Sequence, residues 1–217
     1  MKKSLFCLAL VLTVFSFSLT AQAALVGSLP DGTIVPIPAV NYDGSGPQTF
    51  SGITWTSTFQ DSLFGYTGTY GYYFGGTWNG SLGPMIGLNS SSQDYATRDT
   101  MTFAFSTPQA GVGGFINYNL NGGFNYQPTV VAVYDSSMKL IESTTLTFGG
   151  NYGTNQGQFV GFLESTPDIK YLTLTDNYIG ITDLTTEATP TPIPAAVWLL
   201  GSGLFGLVGL KRKNVKA

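Results

Sequence analysis

Tyr66, Tyr70, Tyr72, Tyr73 and Trp78 fall within thirteen residues of one another, with glycines between them. Rings at that density suit sugars, whose C–H faces stack on aromatic side chains while their hydroxyls pair with amides such as Asn79 and Asn89. The same spacing suits a hairpin that turns its rings into a core, and the sequence leaves both readings open. Carboxylate chemistry has fewer footholds. Asp94 and Asp99 flank Arg98, and Glu164 precedes Asp168 across a turn. Either pair would need to stand about 5–9.5 Å apart across a cleft to hydrolyse a glycoside. Most acids lie in turn sequences, where Asp caps backbone N–H groups instead. Asp176, Asn177 and Asp183 are candidate calcium ligands, although no EF-hand type of loop accompanies them. Histidine is absent, and the one cysteine, Cys7, lies in an apolar N-terminal run. Once that run is removed, disulfides, Cys- and His-liganded metals, and Ser-His-Asp or Cys-His catalysis are excluded. No cofactor other than calcium is expected.

The two ends of the chain carry address-like patterns. Lys2 and Lys3 precede an apolar stretch over 5–19, and Ala21-Gln22-Ala23 supplies small residues where a signal peptidase needs them, so residues 1–23 read as a signal peptide. At the other end, Thr189-Pro190-Thr191-Pro192-Ile193-Pro194 is stiff and breaks helices. Residues 195–210 follow without a charge, and Lys211, Arg212 and Lys213 close the pattern. A helix over 195–210 would span about 24 Å, slightly short of a hydrocarbon core of about 30 Å. Basic residues after such a span put the C-terminus in the cytoplasm and the rest of the chain outside. Gly201, Gly203, Gly206 and Gly209 make it a thin helix.

Residues 192–204, PIPAAVWLLGSGL, with their apolar continuation and Lys211-Arg212-Lys213, closely resemble a PEP-CTERM sorting signal. The resemblance covers about 25 residues and includes Pro192, Ile193, Pro194 and Trp198. The Pro-Glu-Pro that names the family is replaced by Thr191-Pro192-Ile193-Pro194, similar to its Val-Pro-Leu-Pro variant. The resemblance implies export in a Gram-negative bacterium and transient anchoring in the inner membrane. It further implies processing by an exosortase-type enzyme and delivery to the cell surface or the exopolysaccharide matrix. An ordinary single-span anchor is the alternative.

Between these ends, residues 24–188 form the ectodomain. Six of the nine basic residues belong to the termini, leaving Arg98, Lys139 and Lys170 against all twelve acids, a net charge of −9. Such a surface repels phosphate backbones, which excludes nucleic acid as a partner. The pattern is β throughout, with strands expected over 34–40, 50–59, 100–106, 111–117, 128–135, 139–148, 158–163, 170–175 and 178–184. Met101, Phe103 and Phe105 share one face, as do Leu172 and Leu174, and Ile179 and Ile181. Ile53 and Trp55 lie in the 50–59 run. Turn sequences separate the runs at Thr107-Pro108, Asn121-Gly122-Gly123, Asp135-Ser136-Ser137, Gly149-Gly150-Asn151 and Thr166-Pro167-Asp168. The Gly/Tyr/Trp-rich residues 64–83 read as a hairpin or long insertion, and 89–97 as a polar loop. The expected fold is a single antiparallel β-sandwich or jelly roll. TFAFSTPQAGVGGFINY, VVAVYDSSMKLIES and DNYIGITDLT also resemble the β-sandwich ectodomains of exported proteins with this sorting signal. The expected role is a non-enzymatic structural or adhesive one in exopolysaccharide, with sugar binding through residues 66–79. A carboxylate-pair glycan-cleaving enzyme and a protein-binding surface module are the alternatives.

Overall fold

The computed structural model describes residues 23–72, 75–89, 98–119, 128–148, 153–176 and 178–189. The described chain is all-β, and every pair of strands in its sheets is antiparallel. One sheet runs in the order β1 (Ala24–Val26), β14 (Gln158–Leu163), β11 (Gly111–Tyr118), β16 (Tyr178–Glu187), β9 (Met85–Asn89), β6 (Leu63–Tyr66) and β3 (Tyr42–Asp43), with β2 (Thr33–Ile34) added to β16. The other runs β13 (Leu140–Thr145), β12 (Val130–Tyr134), β15 (Ile169–Asp176), β10 (Asp99–Gln109), β5 (Ile53–Ser57) and β4 (Gln48–Phe50). A third, two-stranded sheet is the hairpin of β7 (Thr69–Gly71) and β8 (Thr77–Asn79). The last eight strands pair in a nested way: β9 with β16, β10 with β15, β11 with β14, and β12 with β13.

Period-two patterning selects what the two large sheets bury. Met101, Phe103 and Phe105 of β10 are buried, and so are Leu172 and Leu174 of β15 and Ile179 and Ile181 of β16. All seven join one core to which both large sheets contribute. Aromatic contacts cross between the sheets. The ring of Phe64 on β6 lies 5.4 Å from Trp55 on β5 and 5.2 Å, edge-on, from Phe50 on β4.

Turn chemistry explains the β12–β13 connection. The Asp135 carboxylate accepts from Ser137 N at 2.8 Å and Lys139 N at 2.9 Å, while Met138 takes a left-handed φ of 61°. Asp side chains favour such turns because they bond the backbone a few residues on.

Two expectations about the backbone are corrected. Thr107-Pro108 does not end a strand, because β10 continues to Gln109. The register with β15 jumps from Ala104 to Gln109, so a bulge absorbs the proline that cannot donate to the ladder. Residues 34–40 do not form one strand, and only Thr33–Ile34 pairs with β16. Pro36 and Pro38 lack N–H groups in that stretch, so a ladder cannot continue through them. Strands β1 and β9 lie in segments where no strand was expected. The one helical element with described bounds is a 3-10 turn at Gly80–Leu82.

One cross-strand pair brings two acids together. Asp99 and Asp176 face each other between β10 and β15. Like charges directly opposite on neighbouring strands are destabilising. Asp99→Asn keeps an oxygen for the Thr58 hydroxyl, which donates to Asp99 Oδ1 at 2.8 Å. The substitution is expected to raise unfolding free energy by about 0.2–1 kcal/mol, read from urea titrations at neutral pH.

Candidate functional site

The aromatic cluster forms a hairpin, and the hairpin turns its rings inward. Tyr70 and Trp78 face each other across β7 and β8. Tyr70, Tyr72, Trp78 and Met85 are buried together as a second core, with Tyr66, Leu63, Leu82 and Tyr178 packed around them. Tyr70 donates to the Leu88 carbonyl at 3.4 Å, and its ring centroid lies 4.8 Å from that of Tyr72. Tyr72 donates to Met85 Sδ at 3.4 Å. Burial raises both phenols well above their ordinary range, and neighbouring Tyr72, Tyr178 and Asp176 add to this for Tyr70. They therefore remain neutral donors at any physiological pH. Tyr66 is half-buried, with its hydroxyl 3.4 Å from the Thr69 carbonyl. Asn79 spends its amide locally: its oxygen accepts from Ser81 N at 3.0 Å, and its nitrogen reaches Thr154 Oγ1 at 3.5 Å. Of the expected sugar-stacking set, Tyr70, Tyr72 and Trp78 thus serve as core, and Tyr73 lies outside the described residues.

Asn117 and Asn155 tie this hairpin to the larger sheet. Asn117 Nδ2 donates to the Gly75 carbonyl at 2.9 Å and to Asn155 Oδ1 at 3.0 Å. A small aromatic core with polar ties to its support is a structural arrangement, and its rings carry no accessible stacking face at Tyr72 or Trp78, which are 1% and 2% exposed.

The acids are distributed differently from the pairs read in the sequence. Asp94 lies outside the described residues. Asp99 stands opposite Asp176 instead, and Asp176 is buried with the Thr129 hydroxyl donating to its Oδ2. Asp176 also helps burial push the Tyr118 hydroxyl up to about 12. Asp183 sits five residues beyond the start of β16, about 16 Å of extended chain, so it does not converge with Asp176. It occupies a left-handed φ of 48° where the β16–β11 register shifts, and it accepts from Gln156 Nε2 at 3.3 Å. Among the described residues no three Asp, Glu, His or Cys side chains gather closely enough to hold a metal ion. Asn177, the third expected ligand, is not among them.

Glu164 and Asp168 part company across their turn. Asp168 is exposed and accepts from Thr166 Oγ1 at 2.8 Å. Glu164 is buried, and its Oε1 has no hydrogen-bond partner. Desolvation first, then the charges of Asp168 and Glu142, raise its carboxyl above the ordinary value of 4.5. A raised carboxyl favours the folded state at acid pH, and that contribution is lost as pH rises from the ordinary value through the folded one. Glu164→Gln is therefore expected to unfold at higher urea concentration than the parent at pH 7. The difference should shrink or vanish at pH 4, where the parent carboxyl is largely neutral in both states.

A cleft opens where the two large sheets end side by side. Residues 25–27 of β1 and its continuation, 158–160 of β14, and 144–148 at the end of β13 line about 370 Å³. No ionisable side chain is among them. Thr144, Thr145, Thr147 and Gln158 bring hydroxyls and an amide; Leu25, Val26, Leu146, Phe148, Phe159 and Val160 bring apolar surface. The Phe148 ring stands edge-on to Tyr118 at 5.0 Å, and the Tyr118 hydroxyl donates to the Phe148 carbonyl at 2.9 Å. The Phe159 ring stands edge-on to Phe115 at 5.7 Å. The Phe148 ring is thus held in place by its neighbour, whereas alternation puts Phe159 with Phe115 on the sheet face opposite to the core residues Val160 and Phe162. Sequence reading missed this site because its residues come from three distant segments, each polar-apolar mixed and unremarked alone.

Comparison with protein families, curated proteins and solved structures finds no match for this chain. Among the described residues no helix is long and apolar enough to cross a membrane. Residues 1–22 and 190–217, which hold the signal-peptide and sorting patterns with Pro192, Ile193, Pro194, Trp198, Lys211, Arg212 and Lys213, lie outside them.

Proposed function

We propose that this is an exported surface or matrix protein without enzymatic activity, whose β-rich ectodomain serves a structural or adhesive role. The observation that carries the reading is the order of patterns at the C-terminus: Pro192-Ile193-Pro194, an uncharged apolar stretch over 195–210, then Lys211-Arg212-Lys213. That order suits temporary anchoring in the inner membrane, removal of the anchor by an exosortase-type enzyme, and release to the cell surface or exopolysaccharide. The nested pairing of β9 through β16 supports a jelly-roll reading, and one core shared by both large sheets supports a sandwich. Jelly rolls serve many roles, so the fold by itself favours no one activity.

A glycan-cleaving enzyme has less support. Asp99 and Asp176 stand opposite each other, but Asp176 is buried against Thr129, and the cleft contains no carboxyl group to donate or accept a proton. The ectodomain charge of −9 disfavours anionic partners and leaves neutral glycans, cations and proteins.

The test is the mass and location of the protein in its own host. The parent chain is expected on the cell surface or in the matrix, without residues beyond about 194. Replacing Lys211, Arg212 and Lys213 together with Gln should leave it uncut or misoriented, and Pro192→Ala with Pro194→Ala should leave it full-length in the inner membrane. Recovery of the parent with its C-terminal residues intact and permanently in the inner membrane would make it an ordinary anchored protein.

A further inference from the structure

We propose that the cleft between β1, β14 and the end of β13 binds a neutral saccharide. The inference rests on the surface-protein reading and gives it a ligand class and a place. A sugar ring needs two things from a protein: apolar surface for its C–H faces, and partners that both donate and accept for its hydroxyls. Phe148 and the exposed Leu25 supply the first among the lining residues, and the Thr144 hydroxyl and the Gln158 amide supply the second. Charge selects against other small ligands. An anion would find no cationic side chain in the cleft and a net-negative protein around it; a metal ion would find no carboxylate. A volume of about 370 Å³ lies in the range of small-ligand clefts and is too small for a folded partner. The Phe148 ring is braced by Tyr118, so binding does not have to order it. Gly27 marks open space at the rim, since a Cβ built there has no atom within 4 Å.

That opening supplies a blocking variant whose Cβ meets no atom within 4 Å. The full-length chain would be held in a zwitterionic detergent, because a maltoside head group is itself a saccharide. It would be titrated calorimetrically with cellohexaose, mannohexaose and, as the anionic control, hexagalacturonate. Saturable binding of at least one neutral hexasaccharide is expected, with hexagalacturonate at least about tenfold weaker. Gly27→Phe should abolish that binding, and Gln158→Ala, at an exposed position, should weaken it about fivefold by removing one hydrogen-bonding group. Both variants should keep the parent's unfolding midpoint.

Unchanged affinity in both variants would move the sugar site elsewhere and overturn the assignment, as would failure of both neutral hexasaccharides to bind. Preference for hexagalacturonate would also overturn it. So would a concentration-dependent dimer that Gly27→Phe dissociates, since a second copy would then be the occupant. The surface reading fails separately: a chain that binds cellohexaose yet stays uncut in the inner membrane keeps the cleft and loses that reading. A trimmed matrix protein without saccharide binding does the reverse.

Discussion

Trp55→Ala should cost about 3–5 kcal/mol of unfolding free energy, a large share of the roughly 5–15 kcal/mol that an ordinary domain has. Trp55 is fully buried in β5, pairs with Phe103 of β10, and its ring meets Phe64 of the opposite sheet at 5.4 Å. Truncation would remove a contact that joins the two sheets and leave a cavity that neither sheet can close alone. The informative companion is Trp55→Phe. The indole Nε1 is buried without an acceptor, so its N–H is a standing penalty in the native protein. Phenylalanine removes that group together with part of the ring. Loss of volume and relief of the orphan donor then oppose each other, and the expected net cost is below about 1.5 kcal/mol. Urea titrations followed by far-UV circular dichroism would separate the two variants. Equal, large costs for both would mean that the Nε1–H has a partner, such as a buried water, that phenylalanine cannot satisfy.

Gly157→Ala should be nearly as damaging, although it adds a single methyl group. Gly157 precedes β14 with a φ of +84°, where an L-residue loses about 1–2 kcal/mol. A Cβ there would also sit 1.9 Å from the Ile116 carbonyl oxygen and 2.5 Å from its carbon. Those are main-chain atoms of β11, so no side-chain rotation relieves the overlap. The strands must separate where Ile116 pairs with Gln158. Overpacking adds about 1–3 kcal/mol, for a total of about 2–5 kcal/mol. The strain falls at one end of the proposed cleft, so the variant should also lose any saccharide affinity. Gly27→Ala, by contrast, meets no atom and is expected to change stability by less than about 0.5 kcal/mol.

Local alternation and turn chemistry carried much of the strand pattern. Met101, Phe103 and Phe105 could be put on one face because side chains alternate along any strand, whatever its neighbours. The Asp135 turn was readable because Asp bonds the backbone within a few residues. The strands at β14, β15 and β16 match their patterns closely for the same reason. The exceptions are also local in cause. Prolines at 36 and 38 interrupt one expected strand, whereas Pro108 is taken up in a bulge because β15 holds β10 on both sides of it. Strand β1 was missed because three residues carry too little alternation to register, and β9 because its short apolar run follows Pro84 in a glycine-rich stretch.

Composition alone excluded imidazole and thiol chemistry from residues 24–188 and put their net charge at −9, since these depend on residue counts and not on packing. Pairing is another matter. The pattern of β10 says that it has a buried face, but not that Asp99 will meet Asp176 far along the chain. The hairpin at 69–79 has the same sequence whether its rings face solvent or a second core, and the packing of Met85 and Tyr178 against it made them core. The cleft depends on β1 and the end of β13 lying side by side although they belong to different sheets. Periodicity is a property of one strand and survives in the sequence, while burial, opposition of charges and the shape of a cleft are properties of pairs of segments, chosen by which long-range packing excludes the most water.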